Sequence, residues 1–259
     1  MEKFKIISSE YFTFYNKKQK ITLQKHFRKL KEKSTSGMDG FNFSFVSSSV
    51  YSSMIEGSGI DIDTYFRYRD LKVRNKSFKE IQDLIEAYKF AKSNKLTLSN
   101  VMKAHSILSK TLLINNPEYV GKIRNKMVTV RKDGVIIYTA CPTLQVKSEL
   151  NKLFSDITVL IKADLTISEV FYYASMIHLR FVQIHPFGDG NGRVTRLIEK
   201  WFLAEKLGSR AWFIQSEKMY QKRILFYYKN IDLGESYDKL NYDLSIPFLI
   251  MLPISLRTK

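Results

Sequence analysis

Two runs of apolar residues at helical spacing, Val170 to Ile184 and Val194 to Phe202, stand on either side of Pro186. Proline lacks an amide donor and disfavours helical geometry at the residue before it, so one helix must stop there and another must start soon after. The first opens on Thr166 and Glu169, a capping box, and places Val170, Phe171, Ala174, Ile177, His178, Phe181 and Ile184 on one stripe. The second buries Val194, Leu197, Ile198, Trp201 and Phe202. Between them lie Gly188, Gly190 and Gly192, which let the backbone turn tightly and approach a ligand. Unpaired N–H groups at the second helix start then face outward, and the joint becomes an anion cradle.

The rest of the chain is also helical in pattern. Ser77 with Glu80 reads as a capping box for a helix carrying Phe78, Ile81, Leu84, Ile85, Tyr88 and Ala91. Thr97 to Leu113 repeats the spacing with Val101, His105, Leu108 and Leu112, and Thr143 to about Lys162 does so with Val146, Leu150, Leu153, Ile157 and Leu160. Asn42 to Gly57 spaces Val46, Val50 and Met54 among serines, a short helix ending at a glycine suited to the left-handed cap. Lys126 to Tyr138 differs, because two β-branched runs flank Asp133-Gly134 and predict a hairpin. With no sheet to join, it is expected to pack on the helices as a flap or to offer a docking edge. The fold class is all-α with this one hairpin. Nothing marks a linker, so a basic extension, residues 1–40, is expected before one helical body, residues 41–259.

Forty-two Lys and Arg against 25 Asp and Glu leave a net charge of +17, densest from Lys17 to Lys33. No zinc-finger spacing, RNP-like aromatic motif or helix-turn-helix accompanies it, so a solvated helix face is the favoured reading and nucleic acid is not the expected partner. The competing reading, a basic module for nucleic acid or a protein partner, predicts a salt-dependent DNA shift without nucleotide turnover. The single cysteine, Cys141, excludes an internal disulfide and a thiol-rich zinc site, and fits a reducing compartment. The N-terminus lacks the apolar core of a secretory signal, and the greasiest stretch, Ile246 to Leu256, is too short and too Pro-broken to span a bilayer. A cytoplasmic protein with no membrane contact is expected.

Chemistry concentrates in the glycine-punctuated loop. Arg193 and Arg196 share one face of the second helix's first turn, where cations oppose the macrodipole by ~0.3–1 kcal/mol each. An anionic ligand or a carboxylate that neutralises them is expected, and a polyphosphate fits. Asp189 adds the carboxylate by which Mg²⁺ is usually held beside phosphate oxygens and waters. No GxxxxGK[ST] occurs, which excludes a P-loop. A calcium loop fails because Arg193 and Val194 occupy the places of an acid and a glycine. His178 and His185 are too far apart on their helix to share a metal, so His178 reads as a core histidine. His185, beside the cradle, is a candidate general base, since a free imidazole titrates near pH ~6.5.

The run HPFGDGNGRVTR, His185 to Arg196, resembles the complete signature of the Fic family of AMP-transferring enzymes (adenylyltransferases), and a looser resemblance extends over Phe41 to Asn230. It implies a Fic (Fido) helical domain with a flap at about residues 121–140 and a catalytic loop at 185–196. His185 would deprotonate the target hydroxyl, Phe187 would anchor the loop, and Gly188 would belong to the nucleotide-binding turn. Asp189 would hold Mg²⁺. Gly190, Asn191 and Gly192 would form the anion hole, with Asn191 and Arg193 in the catalytic set. Arg193 would grip the β-phosphate, Arg196 the γ-phosphate, and Tyr228 would lie near the adenine. ATP would be the co-substrate, and a target protein would lay a Tyr, Ser or Thr along the flap. A change of donor nucleotide, or removal of AMP, is the alternative on the same fold. A homo-oligomer is compatible with the sequence.

Ser52 to Gly57 (SSMIEG) resembles the family's inhibitory-helix motif, with Ser52, Glu56 and Gly57 at its defining positions. The helix is expected at about residues 44–57. Glu56 would close its C-terminus, where the macrodipole disfavours a carboxylate, so a cationic partner is expected. A bidentate Glu56–Arg196 pair would occupy the γ-phosphate site and keep the enzyme self-inhibited.

Overall fold

The computed structural model describes residues 4–30, 39–132 and 134–258. It is a helical body carrying one antiparallel hairpin. Helices α1 (Phe12–Lys18) and α2 (Leu23–Arg28) precede α3 (Gly40–Ile55), α4 (Ile62–Asp70), α5 (Lys76–Lys92) and α6 (Leu98–Leu108). The strands β1 (Thr129–Lys132) and β2 (Val135–Thr139) follow, then α7 (Val146–Lys162), α8 (Ile167–Ile184) and α9 (Asn191–Leu207). Short helices α10 (Ser216–Lys222), α11 (Ile224–Ile231), α12 (Ile246–Leu249) and α13 (Met251–Ser255) close the chain. Among the described residues no helix is long and apolar enough to cross a membrane.

Helix α8 is the axis of the core. Phe171 to Leu179 are all buried, as befits a helix apolar on nearly every side, and α9 packs along it while α7 covers another flank. Its start is the expected capping box: the Thr166 amide donates to Glu169 Oε2 at 2.8 Å and the Glu169 amide to Thr166 Oγ1 at 3.3 Å. Helix α5 begins earlier than its sequence suggests. Asn75, not Ser77, is the N-cap, its Oδ1 accepting from the Phe78 amide at 2.8 Å. An Asx cap satisfies the same orphan donor, which frees Glu80 to face the core. Thr97 caps α6, which ends at Leu108, and α7 starts at Val146 rather than at Thr143.

Helix α3 buries serines alongside its apolar residues Phe45, Val46, Val50 and Ile55. Ser44, Ser47, Ser48, Ser49, Ser52 and Ser53 are all buried. Ser44 Oγ donates to the Trp212 carbonyl (2.6 Å), Ser47 Oγ to Gln215 Oε1 (2.8 Å) and Ser48 Oγ to Glu217 Oε2 (3.2 Å). The fully buried Lys200 of α9 pairs with Glu217 of α10 at 2.6 Å beside them. Small side chains let the backbones close up, and the hydroxyls of Ser44, Ser47, Ser48 and Ser52 find partners on α9, α10 or the turn between them, while those of Ser49 and Ser53 are buried with no hydrogen-bond partner among the described residues.

Residues 4–30 are tied to this body. Asp156 of α7 accepts the amides of Lys5, Ile6 and Ile7 at 2.8–2.9 Å, and Tyr15 is buried against Tyr172 of α8. In the basic run Lys17, Lys18, Lys20, Lys25, Arg28 and Lys29 are exposed, while Lys31 and Lys33 lie outside the described residues. The hairpin pairs Thr129 with Thr139 and Lys132 with Val135, with a register shift at Val130/Arg131. Gly134 takes φ +81° in its turn, and Asp133 lies outside the described residues. At its base the Tyr138 hydroxyl donates to the Gln183 carbonyl of α8 (2.8 Å), whereas Val135, Ile136 and Ile137 are exposed.

Candidate active site

The turn between α8 and α9 is built on an aromatic stack. Phe187 is buried and lies flat on the His105 imidazole of α6, the ring centres 3.7 Å apart and 3° from parallel. Asn191 closes the loop from the other side: its Oδ1 accepts the Phe187 amide and its Nδ2 donates to the Phe187 carbonyl, both at 2.9 Å. The side chain of Asn191 is thus occupied in holding the loop, and its contribution to an anion site is its amide. The first hydrogen bond of α9 runs from Val194 N to Gly190 O, and no side chain caps the helix. The amides of Asn191, Gly192 and Arg193 therefore have no acceptor within α9.

His105 fixes the loop through both ring nitrogens. Nδ1 accepts from the Gly121 amide and Nε2 donates to the Asp189 carbonyl, each at 3.0 Å. That geometry needs the neutral ring, and burial pulls its pKa down to about 4. In the unfolded chain the value is ~6.5, so between the two only the unfolded state takes the proton. Stability from this residue is intact above ~6.5 and is lost as the pH falls toward ~4, on the order of 3 kcal/mol in all. Urea unfolding across this range is expected to lose about one proton of pH dependence in His105→Gln. An unchanged slope would contradict the assignment.

His185 occupies the C-cap of α8 in the left-handed region, φ 52° and ψ 60°. For a residue other than glycine this costs ~1–3 kcal/mol, a conformation that persists only where the surroundings dictate it. Its carbonyl accepts from Arg124 Nε at 2.7 Å and its Nδ1 lies 3.2 Å from the Val182 carbonyl. With Nδ1–H directed to that carbonyl, Nε2 is the basic nitrogen. Burial lowers its pKa below the ordinary imidazole value and the Arg124 charge pulls the same way, against the opposing carbonyl of Val182 and the carboxylates of Glu56 and Asp189. The ring is neutral at physiological pH, as a proton acceptor must be.

Both arginines of the second helix are buried, and each meets a carboxylate from another helix. Arg193 Nη2 pairs with Glu80 Oε2 of α5 at 3.0 Å, while its Nε and Nη1 are buried with no hydrogen-bond partner among the described residues. Arg196 donates Nε to Ser52 Oγ (2.9 Å), Nη2 to the Ser52 carbonyl (3.1 Å) and Nη1 to the Tyr227 hydroxyl (3.3 Å). Its Nη2 also meets Glu56 Oε1 at 2.6 Å. The pair is therefore a single charge-assisted bond rather than the bidentate fork expected from sequence, because Ser52 and Tyr227 take the remaining donors. Glu56 is the C-cap of α3, and a Cβ on residue 192 would collide with its Oε1. The carboxylate is repelled by its own helix end and received by the start of α9. Gly57 follows at φ +90°, with Gly57 N bonded to Met54 O and Ser58 N to Ser53 O, a Schellman cap.

Behind Arg196 a polar chain runs into the core. Tyr227 OH is 3.0 Å from His178 Nε2, His178 Nδ1 is 2.7 Å from Glu199 Oε2, and Tyr220 OH donates to the same oxygen at 2.8 Å. All are buried, and His178 is the core histidine its position on the stripe implies. Tyr228 is half exposed and its hydroxyl donates to the Ile55 carbonyl at the end of α3 (2.9 Å). Asp189 and Gly188 are exposed at the loop tip, and Asp189 Oδ1 accepts from the Gly190 amide at 2.6 Å. The structure thus gathers His185, Asn191, Gly192, Arg193, Arg196, Ser52 and Glu56 around one corner. Glu80, His105 and Arg124 join them there, although none stands out in the sequence as part of the site.

Residues 95–203 match the family model described as Fic/DOC family. No curated protein matches the sequence. Among solved structures, a Fic family protein from Desulfovibrio desulfuricans G20 superposes with a TM-score of 0.69 at 16% identity, over 96% of this chain and 70% of that one. A Fic domain containing signaling protein from Bacteroides thetaiotaomicron VPI-5482 gives 0.64 at 16% identity, over 96% and 93% of the two chains. Fic-1 from C. elegans gives 0.66 at 14% identity, over 96% and 71%. At such identities the likeness is one of fold.

Proposed function

We propose, from the match of residues 95–203 to the Fic/DOC family model and the likeness of the fold to Fic proteins, that this chain transfers AMP from ATP to a hydroxyl of a target protein and is held off by Glu56. One observation carries the proposal. A neutral imidazole, three amides without helical acceptors and two buried arginines meet at the start of α9, and a carboxylate of the chain itself stands among them.

His185 Nε2 would take the proton of a Tyr, Ser or Thr hydroxyl as its oxygen attacks the α-phosphorus. The bond from that phosphorus to the bridging oxygen breaks, and pyrophosphate leaves. Amides of Asn191, Gly192 and Arg193 would receive phosphate oxygens, as helix starts do. Nε and Nη1 of Arg193, without a partner among the described residues, suit the β-phosphate, and Arg196 would take the γ-phosphate. Tyr228 would lie beside the adenine. Asp189, exposed at the loop tip, would hold Mg²⁺ together with phosphate oxygens and waters, the donor set that ion takes. When bound, that ion would offset phosphate charge. The exposed run Val135 to Ile137 suits an extended target segment added to the hairpin.

Glu56 competes for the same place. Bonded to Arg196 and crowding Gly192, its carboxylate would stand where the γ-phosphate must sit, leaving ATP misplaced for in-line attack. The reaction class is tested by incubating a Glu56→Gly form and lysate with ATP labelled at the α- or at the γ-phosphate. Label from the α-position is expected in protein. Label from the γ-position instead, on the purified protein without lysate, means phosphoryl transfer and overturns the proposal, and competition by CTP, GTP and UTP reads the donor.

A further inference from the structure

Arg124 lies in a polar run, Lys122 to Lys126, of the kind that ordinarily faces water, yet it is 3% exposed. Its guanidinium is spent on backbone carbonyls. Nε donates to His185 O (2.7 Å), Nη1 to Lys126 O (2.8 Å), and Nη2 to Cys141 O and to Ile184 O (3.4 Å). A weaker contact runs from Nη1 to Thr143 Oγ1 (3.4 Å), and the Arg124 amide donates to Pro186 O (2.9 Å). Ile184, His185 and Pro186 are the end of α8, where carbonyls lack helical partners and a cation is favoured. Lys126 and Cys141 are the two feet of the hairpin, one before β1 and one after β2.

We propose that Arg124 is a positioning residue that registers the general base against the acceptor: it joins the left-handed turn that aims His185 to both feet of the flap on which the target segment would lie. The proposal rests on the AMP-transfer reading above. His185 is held at positive φ by the chain around it, and Arg124 supplies the side-chain part of that hold. Only arginine fits, because five donors fixed in a plane reach four separated carbonyls, whereas a lysine offers three donors from one point. Without the link the base and the acceptor hydroxyl would drift independently, and a displacement of ~1 Å costs about 10²-fold in rate.

In the Glu56→Gly form, Arg124→Lys and Arg124→Ala are expected to lower kcat for α-label transfer about 10²-fold, with KM for ATP and its affinity by calorimetry within about twofold. Added methylguanidine is expected to restore part of the Arg124→Ala rate. A kcat within about threefold of the parent in a variant that still melts cooperatively would overturn the inference, as would ATP affinity falling in step with kcat. If Arg124→Ala does not fold, Arg124→Lys decides by the same measure. If the Glu56→Gly parent itself transfers no label, it is the AMP-transfer reading that fails. The NMR titration of the His185 ring then judges the contact alone: displaced in Arg124→Lys if Arg124 sets the ring, unmoved if it does not.

Discussion

Replacing Glu56 by glycine is expected to raise incorporation of α-labelled AMP, into the protein itself and into lysate, by roughly 10- to 100-fold. A hydrogen bond between charged groups is worth about 1.5–3 kcal/mol net, and each ~1.4 kcal/mol is a factor of ten. Glu56 meets Arg196 through one such bond at 2.6 Å, so removing it returns one donor to the nucleotide while Ser52 and Tyr227 keep the guanidinium in place. The fold should not suffer, since the side chain is 34% exposed and the Schellman cap runs through backbone atoms of Ser53, Met54, Gly57 and Ser58. Glu56→Gln keeps the shape without the charge and is expected to fall between the two. Incorporation no higher than in the unaltered protein would remove the inhibitory contact from the account.

Loss of the base should be as plain. In the Glu56→Gly background, His185→Asn is expected to cut kcat by about 10²–10⁴-fold, the range of a positioned proton acceptor, while ATP still binds. Asparagine is the better test than alanine because it tolerates the left-handed backbone that His185 occupies, so the loss reports chemistry rather than a distorted turn. Calorimetry checks the claim, and ATP affinity falling as far as the rate would contradict it. The pH profile follows from burial. With its pKa below the ordinary value, His185 of the free protein remains unprotonated to lower pH than a free imidazole, so the acid limb of kcat/KM should lie below ~6.5.

The helices around the loop were legible because their signals are local. A capping box at Thr166, a proline at 186 and apolar spacing along α8 and α9 depend on no distant partner. The start of α5 was not, because Asn75 and Ser77 are both competent caps and only tertiary packing, with Glu80 turned toward Arg193, chooses between them. The loop's composition exposed the anion cradle and its two arginines, and the SSMIEG run exposed the carboxylate that faces one of them. Its bond is single rather than forked because the other donors of Arg196 go to groups far apart in sequence, Ser52 and Tyr227. Arg124, Glu80 and His105 were silent for the same reason. Each is a polar residue whose role depends on what folding brings to it, and in the chain each looks like ordinary surface charge or core filler.

Glu56 hangs from the end of a helix sewn into the same interior as its target, through Ser44, Ser47, Ser48 and Ser52. On the proposed reading nothing has to dissociate for the protein to wake: idle and working states share one scaffold and differ by a few torsions of a single side chain. The threshold for arousal is then set by how readily the γ-phosphate displaces one tethered acid, so any ligand that coaxes that acid outward acts as a dial rather than as a key.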